Sequence, residues 1–267
     1  MLRVSTPSMT GDLGERIVAK RASGECNFSM DIHRWAIGVA KNERVMARVT
    51  FFQKLSEHEL AQIAAISKHH KFSRDHVVFF EGSRSDSLYV IVNGSVKIYR
   101  KAQDGRQKIL CVLGSGEFFG EFSLIDGQPR SASVATLQPT EMLSIDHLDF
   151  RRFIMSSPDV LWKVLEAMCE RLRIVNDENF DLAFRNMAFR FVCALLKLSE
   201  YGTASIDGVN VIASKQDLAA MVGCGAERVS GLLQKLEDRN LVRTRGNNIH
   251  IRDIDVLRKA LEFAEDL

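Results

Sequence analysis

At Ser157-Pro158 the hydrophobic rhythm of the chain changes, and that change limits the fold more than any other feature. Between about residue 76 and residue 146, apolar residues recur at every second position in short runs: VVFF, LYVIV, SVKIYRK, KILCVL, SASVATL and EMLSI. Turn residues separate them at Glu81-Gly82-Ser83, Asn93-Gly94, Asp104-Gly105 and Gly114-Ser115-Gly116. A period of two over such short runs makes half-buried strands, and their close spacing predicts a small antiparallel roll or barrel. Asn93-Gly94, set between two alternating runs, predicts a type I′ hairpin. Beyond Ser157, an N-cap followed by proline at the first helical position, the period becomes helical. The fold class is α+β, with the β part first.

The first helix past Pro158 has a narrow apolar stripe. Leu161, Leu165, Met168, Leu172, Val175, Asn179 and Leu182 recur in steps of four and three, the seam of a coiled coil with one polar break. Two occupants suit that stripe, the roll of the same chain or a second copy of the helix. The strict spacing, held over three heptads, favours the copy and hence a homodimer. Near Asn186 the pattern breaks, then MAFRFVCALLKLSEYG resumes as a separate helix closed by Gly202, which predicts a hinge between domains.

Ahead of the roll, Ser56 and Glu59 form a capping-box pattern that predicts a short helix. The pair His69-His70, beside Lys68 and Lys71, reads as a solvated basic helix end rather than a metal site. Residues 1–45 are mixed in composition and predict a loosely ordered extension, with Met9, Met30 and Met46 as candidate alternative starts. Five cysteines (Cys26, Cys111, Cys169, Cys193, Cys224) form no Cys-x-x-Cys pair, so each reads as a reduced, mostly buried thiol, and no metal site is predicted. No apolar run approaches the roughly 20 residues of a spanning helix, so no membrane partner and a cytoplasmic address are expected. The net charge of +2 is too small to signal nucleic acid by itself, so any basic surface must be local.

Such a surface lies near the C-terminus. Ser214 caps a short helix, KQDLAAMVG, with Asp217 at its third position. Gly223-Cys224-Gly225 forces a turn before AERVSGLLQKLEDRNLV, and small Ala219, Gly223 and branched Val229 suit a tight, steep crossing of two helices. That is a helix-turn-helix pattern. LVRTRGNNIHIRD then alternates around Gly-Asn-Asn and predicts a two-stranded wing. Residues 214–252 hold seven Lys/Arg against four Asp/Glu, a local +3 that favours phosphate contact. A winged helix used for protein contact is the alternative. Double-stranded DNA is preferred because the outward recognition face has Glu227, Arg228 and Ser230 in place of apolar anchors.

The stretch GEFFGEFSLIDGQPRSASVAT (116–136) sets a carboxylate and a guanidinium on either side of one tight turn. Together with the order of roll, long helix and winged helix-turn-helix, FFGEFSLIDGQPRSASV (118–134) and SKQDLAAMVGCGAERVSGLLQKLEDRNLV (214–242) resemble the cyclic AMP receptor protein family of bacterial transcription regulators. The resemblance covers about residues 46–252. It implies a jelly-roll-like cyclic-nucleotide-binding domain over 46–157, a dimerisation helix over 158–185 and a winged helix-turn-helix domain over 186–267. It also implies a cyclic nucleotide (cAMP or cGMP) as allosteric effector, RNA polymerase as a further partner, and no catalysis.

The resemblance assigns roles residue by residue. Arg130 would pair with the cyclic phosphate, Ser131 would donate to it, Glu121 would accept from the ribose 2′-hydroxyl, and backbone N–H groups near Gly120 would add to the anion site. A bare ion pair between Glu121 and Arg130 is the alternative, contributing under about 1 kcal/mol at a surface. On the long helix, Val175 stands where cAMP-responsive members have a threonine that bonds adenine, and Asn176 follows where the family reaches the partner's nucleotide. Losing that neutral hydrogen bond costs about 1 kcal/mol, so cGMP, another nucleotide or a weakened cAMP response stay open. On the DNA side, Ser214, Lys215 and Gln216 at the start of the first helix and Arg245 on the wing match backbone-contact positions. The family pattern Arg-Glu-Thr-Val-Gly-Arg reads Ala226-Glu227-Arg228-Val229-Ser230-Gly231, so Glu227 is retained and the flanking arginines are lost. A palindromic operator of altered sequence is implied. Redox, haem or gas sensing, or DNA binding without nucleotide control, are the alternatives within the family.

Overall fold

The computed structural model describes residues 56–84, 86–156 and 158–262. The extension expected over 1–45, Cys26 and the capping role of Ser157 lie outside them. Helix α1 (Glu57–Ile66) starts with the reciprocal cap its sequence predicts, the Ser56 N–H donating to Glu59 Oε2 at 2.9 Å and the Glu59 N–H to Ser56 Oγ at 3.3 Å. Its Ile63 and Ala64 are buried against the roll.

The roll has eight strands: β1 (Ser67–Phe72), β2 (Val77–Phe79), β3 (Ser87–Asn93), β4 (Ser95–Lys101), β5 (Gln107–Gly114), β6 (Phe118–Phe119), β7 (Ser133–Thr136) and β8 (Thr140–Asp146). They form two antiparallel sheets, ordered β1-β8-β3-β6 and β2-β7-β4-β5. All six alternating runs of the sequence are strands. Between β6 and β7 sits a short helix, α2 (Glu121–Asp126), and α3 (His147–Ser156) follows β8.

Two expectations are corrected here. His69 and His70 lie on β1, not at a helix end, with His69 opposite Leu143 and His70 opposite Met142. The polar composition of SKHHKF suits an edge strand, where charge blunts further pairing. Lys71 and His69 both reach Glu141, at 2.5 and 3.3 Å, while His70 bonds Ser144 Oγ at 2.8 Å and stacks on Phe72. Asn93-Gly94 is no hairpin either, because β3 and β4 belong to different sheets. The chain turns a corner there. Gly94 has φ +99°, and a Cβ on it would lie 2.6 Å from Thr140 Oγ1, so close approach is what demands the glycine.

Helix α4 (Pro158–Phe184) buries Val160 and Val164 against Phe150 and Phe153 of α3 and Leu143 of the roll. Of the coiled-coil seam, only Met168 joins that packing. Leu161, Leu165, Leu172, Val175 and Leu182 stay between 41% and 62% exposed. Apart from Met168, the apolar residues of the stripe therefore stay about half exposed.

The break at Asn186 is present, Asn186 Oδ1 accepting the Phe189 N–H at 2.8 Å to start α5 (Met187–Ser199). The apolar core, however, runs across it. Phe191, Leu195 and Leu198 of α5 pack in one cluster with Tyr99, Ile109 and Val112 of the roll and with Leu218, Val229 and Ile249 beyond. The C-terminal part comprises β9 (Thr203–Ser205), β10 (Gly208–Ile212), α6 (Lys215–Val222), α7 (Ala226–Asp238), β11 (Val242–Arg245), β12 (Asn248–Ile251) and α8 (Ile254–Lys259). The wing is larger than predicted, since β11 and β12 belong to a four-stranded sheet ordered β11-β12-β10-β9. Cys111, Cys193 and Cys224 are partly buried, in keeping with the expectation of mostly buried thiols, whereas Cys169 is exposed and corrects it. Among the described residues no helix is long and apolar enough to cross a membrane, and no group of three or more His, Cys, Asp or Glu could hold a metal ion.

Candidate functional site

Gly120 caps α2 with φ +87°, a left-handed conformation that glycine alone adopts freely. A Cβ there would stand 2.5 Å from Arg130 Nη1 and 3.0 Å from the Ser87 carbonyl. The missing side chain lets Arg130 lie against the start of the helix, where Nη1 donates to the Gly120 carbonyl at 2.6 Å and Nη2 to the Ser87 carbonyl at 2.5 Å. Its guanidinium also sits 4.1 Å from the centre of the Phe79 ring. Arg130 is 3% exposed, and burial pushes its pKa below a guanidinium's ordinary value.

Glu121, 4% exposed, is the first residue of α2. Its carboxylate does not bridge to Arg130 but accepts from Arg171 Nη1 of α4 at 2.5 Å. The other Arg171 nitrogen donates to the Phe118 carbonyl, and the guanidinium lies 4.6 Å from the Phe118 ring centre. The sequence reading missed Arg171. Its only signal was position, four residues before Val175 and so on the same helix face.

Gly120, Glu121, Arg130, Ser131 and Val175 line one cavity of about 470 Å³. That volume is within the usual range for a small-molecule site. Arg171, Lys108, Cys111 and Glu178 are among its other polar lining residues. Burial pushes the Cys111 thiol up to about 12, so at neutral pH it is a protonated, poorly reactive group. Asn176 is exposed on α4 and is not part of this cavity.

The helix-turn-helix residues occupy a second surface. Ser214 Oγ accepts the Asp217 N–H at 3.0 Å and donates to Asp217 Oδ2 at 2.6 Å, closing the cap of α6. Gly223, at φ +80°, ends that helix. Ala219 and Val229 are both buried where α6 meets α7, as their sizes predict. Lys215, Gln216, Glu227, Arg228 and Arg245 are exposed, while Ser214, Ala226 and Ser230 are half-buried. Ser230 Oγ donates to the Ala226 carbonyl at 3.2 Å. Glu237 Oε1 fixes the wing to α7 by accepting from the N–H and hydroxyl of Thr244, at 2.6 and 2.8 Å.

Known proteins share both halves of this arrangement. Residues 69–157 match the cyclic nucleotide-binding domain family and residues 190–260 the Crp-like helix-turn-helix domain family. The CRP-like cAMP-activated global transcriptional regulator of Mycobacterium tuberculosis is 32% identical over 223 residues, covering 81% of this chain and 98% of that protein. The cAMP-activated global transcriptional regulator CRP of Salmonella typhimurium is 33% identical over 183 residues, covering 67% of this chain and 87% of that one. Among solved structures, the c-di-GMP-responsive global regulator CLP of Xanthomonas campestris aligns with a TM-score of 0.65 and 27% identity, over 74% of this chain and 100% of that one. The chain is therefore a transcription regulator of the cyclic AMP receptor protein family, with a cyclic nucleotide-binding domain followed by a Crp-like helix-turn-helix.

Proposed function

We propose that the chain works in the cytoplasm as a homodimeric, cyclic-nucleotide-responsive regulator that binds palindromic DNA and catalyses no reaction. The observation that supports this most is the single cavity that gathers Gly120, Glu121, Arg130, Ser131 and Val175 from three parts of the chain. Its chemistry suits a ribose cyclic phosphate. Arg130 and Ser131 would hold the phosphate diester, and Glu121 would accept from the 2′-hydroxyl once Arg171 shares or yields it. Val175 offers the base no hydrogen bond, so cAMP and cGMP are both admitted, and Asn176 is free to reach a nucleotide held by a second copy.

The exposed stripe of α4 supports the dimer. Burying the remaining exposed area of its five half-exposed apolar side chains against a copy would contribute about 1 kcal/mol each before entropy is subtracted. On DNA, Ser214, Lys215, Gln216 and Arg245 would set register on phosphates, while Ala226, Glu227, Arg228 and Ser230 would face base edges. The modules would divide as 46–157 for nucleotide, 158–185 for dimerisation and 186–267 for DNA, with RNA polymerase as a further partner. The effector acts by favouring one arrangement of the two recognition helices, which requires it to bind that arrangement more tightly.

Calorimetric titration with cAMP, cGMP and c-di-GMP, on the wild type and on Arg130→Ala, tests this reading. Saturable binding of one mononucleotide that Arg130→Ala removes is the expected result. Equal binding by a folded Arg130→Ala refutes the site.

A further inference from the structure

Helix α6, the first of the helix-turn-helix pair, is gripped at both ends by lysines of the β4–β5 hairpin. At its N-terminal end, the ammonium of Lys97 on β4 pairs with Asp217, the same carboxylate that closes the Ser214 cap. Both side chains are largely buried, 14% and 8% exposed. At the other end, Lys108 Nζ on β5 donates to the Met221 carbonyl at 2.5 Å. That carbonyl is in the last turn of α6, where the helix leaves acceptors unpaired and the dipole favours a cation.

The hairpin also borders the helix ends that would face DNA. Lys101 and Arg106 line one side of a groove whose other side is formed by Ser214, Gln216 and Ala226. These three begin α6 and α7, the ends that a helix-turn-helix presents to the duplex. A duplex seated on them would have to share that groove with the hairpin. Lys108 has a further property, since it lines both this groove and the cavity that holds Glu121 and Arg130.

We propose that Lys97 and Lys108 form an autoinhibitory clamp that holds α6 on the roll of its own chain, and that Lys108 is the point where an occupant of the cavity loosens it. The proposal rests on the DNA-binding reading above and is independent of which effector fills the cavity.

The test is effector-free DNA binding by Lys97→Ala and by Lys108→Met, read by fluorescence anisotropy. The probe is a labelled duplex selected from random-sequence DNA by the wild-type chain. Removing a cation near DNA should by itself weaken binding. The clamp predicts the opposite sign, a tightening of about tenfold or more for each variant, because a buried charge-assisted bond that opposes DNA is lost. Far-UV circular dichroism checks folding. If Lys97→Ala unfolds because Asp217 is left without its cation, Lys108→Met decides alone. Affinity equal to or below that of the wild type in a folded Lys108→Met overturns the clamp, even where a nucleotide tightens the wild type. Tighter binding by the variants, in a wild type indifferent to nucleotides, upholds the clamp and refutes the nucleotide reading instead.

Discussion

Gly120→Ala and Gly127→Ala form a matched pair that separates backbone strain from damage to the cavity. Both glycines flank α2 in left-handed conformations, at φ +87° and +70°. An alanine held there costs about 1–2 kcal/mol at either site. In a chain of this size that lowers Tm by about 2–8 °C. The surroundings differ. A Cβ at Gly127 meets nothing within 4 Å, whereas at Gly120 it falls 2.5 Å from Arg130 Nη1. The guanidinium would have to leave the Gly120 and Ser87 carbonyls that position it. Misplacing a charge-assisted contact costs about 1.5–3 kcal/mol, which weakens nucleotide binding by about 10- to 150-fold. Differential scanning fluorimetry should therefore show the strain cost alone in Gly127→Ala and a larger destabilisation in Gly120→Ala, which also loses the Arg130 bonds, and calorimetry a loss of affinity in Gly120→Ala alone. Equal ligand affinity in the two variants would refute the argument that Gly120 exists to seat Arg130.

Other consequences can be measured independently. Tyr201 rests on Gly114, where a Cβ would come within 2.1 Å of its ring, and its hydroxyl donates to Glu117 Oε2 at 2.9 Å. Gly114→Ala should expel that ring at a cost of about 1–3 kcal/mol, seen as faster hydrogen exchange at the end of α5. Asp217 gives a pH dependence. Burial would raise its pKa, but Lys97 and Ser214 outweigh it and hold the carboxyl below its ordinary 3.8. The stability it contributes is therefore complete above that value and is lost as pH falls through the lower folded one. Acid titration followed by tryptophan fluorescence should show Asp217→Asn less acid-sensitive than wild type below about pH 4. Glu237→Ala strips the acceptor from both groups of Thr244 and should destabilise the wing by about 1–3 kcal/mol, detected as loss of wing protection with α4 unaffected.

What the sequence made legible follows a physical rule. Gly120, Glu121, Arg130 and Ser131 fall within twelve residues, because one turn and the helix start next to it bring them together. The caps at Ser56 and Ser214 were readable for the same reason, since a cap satisfies donors three residues away. Strand β1 was not legible. Its lysines and histidines suit an edge strand, but edge position is a property of the sheet and not of the segment. Asn93-Gly94 showed that the chain turns, and could not show that it turns between two sheets.

The contacts most hidden from the sequence are the ones that join the modules. Arg171 meets Glu121 across 50 residues, Lys108 meets Met221 across 113, and Lys97 meets Asp217 across 120. No periodicity predicts such pairs, and each lysine by itself reads as a surface charge on an alternating strand. In the clamp proposed above, Lys97 and Lys108 are the residues through which a cavity in the roll would influence a helix of the DNA-binding module. Only the turn of the cavity, Gly120 to Ser131, is locally encoded. Coupling requires two elements that can pack in more than one way, so its residues are set by the tertiary arrangement and can be found only there.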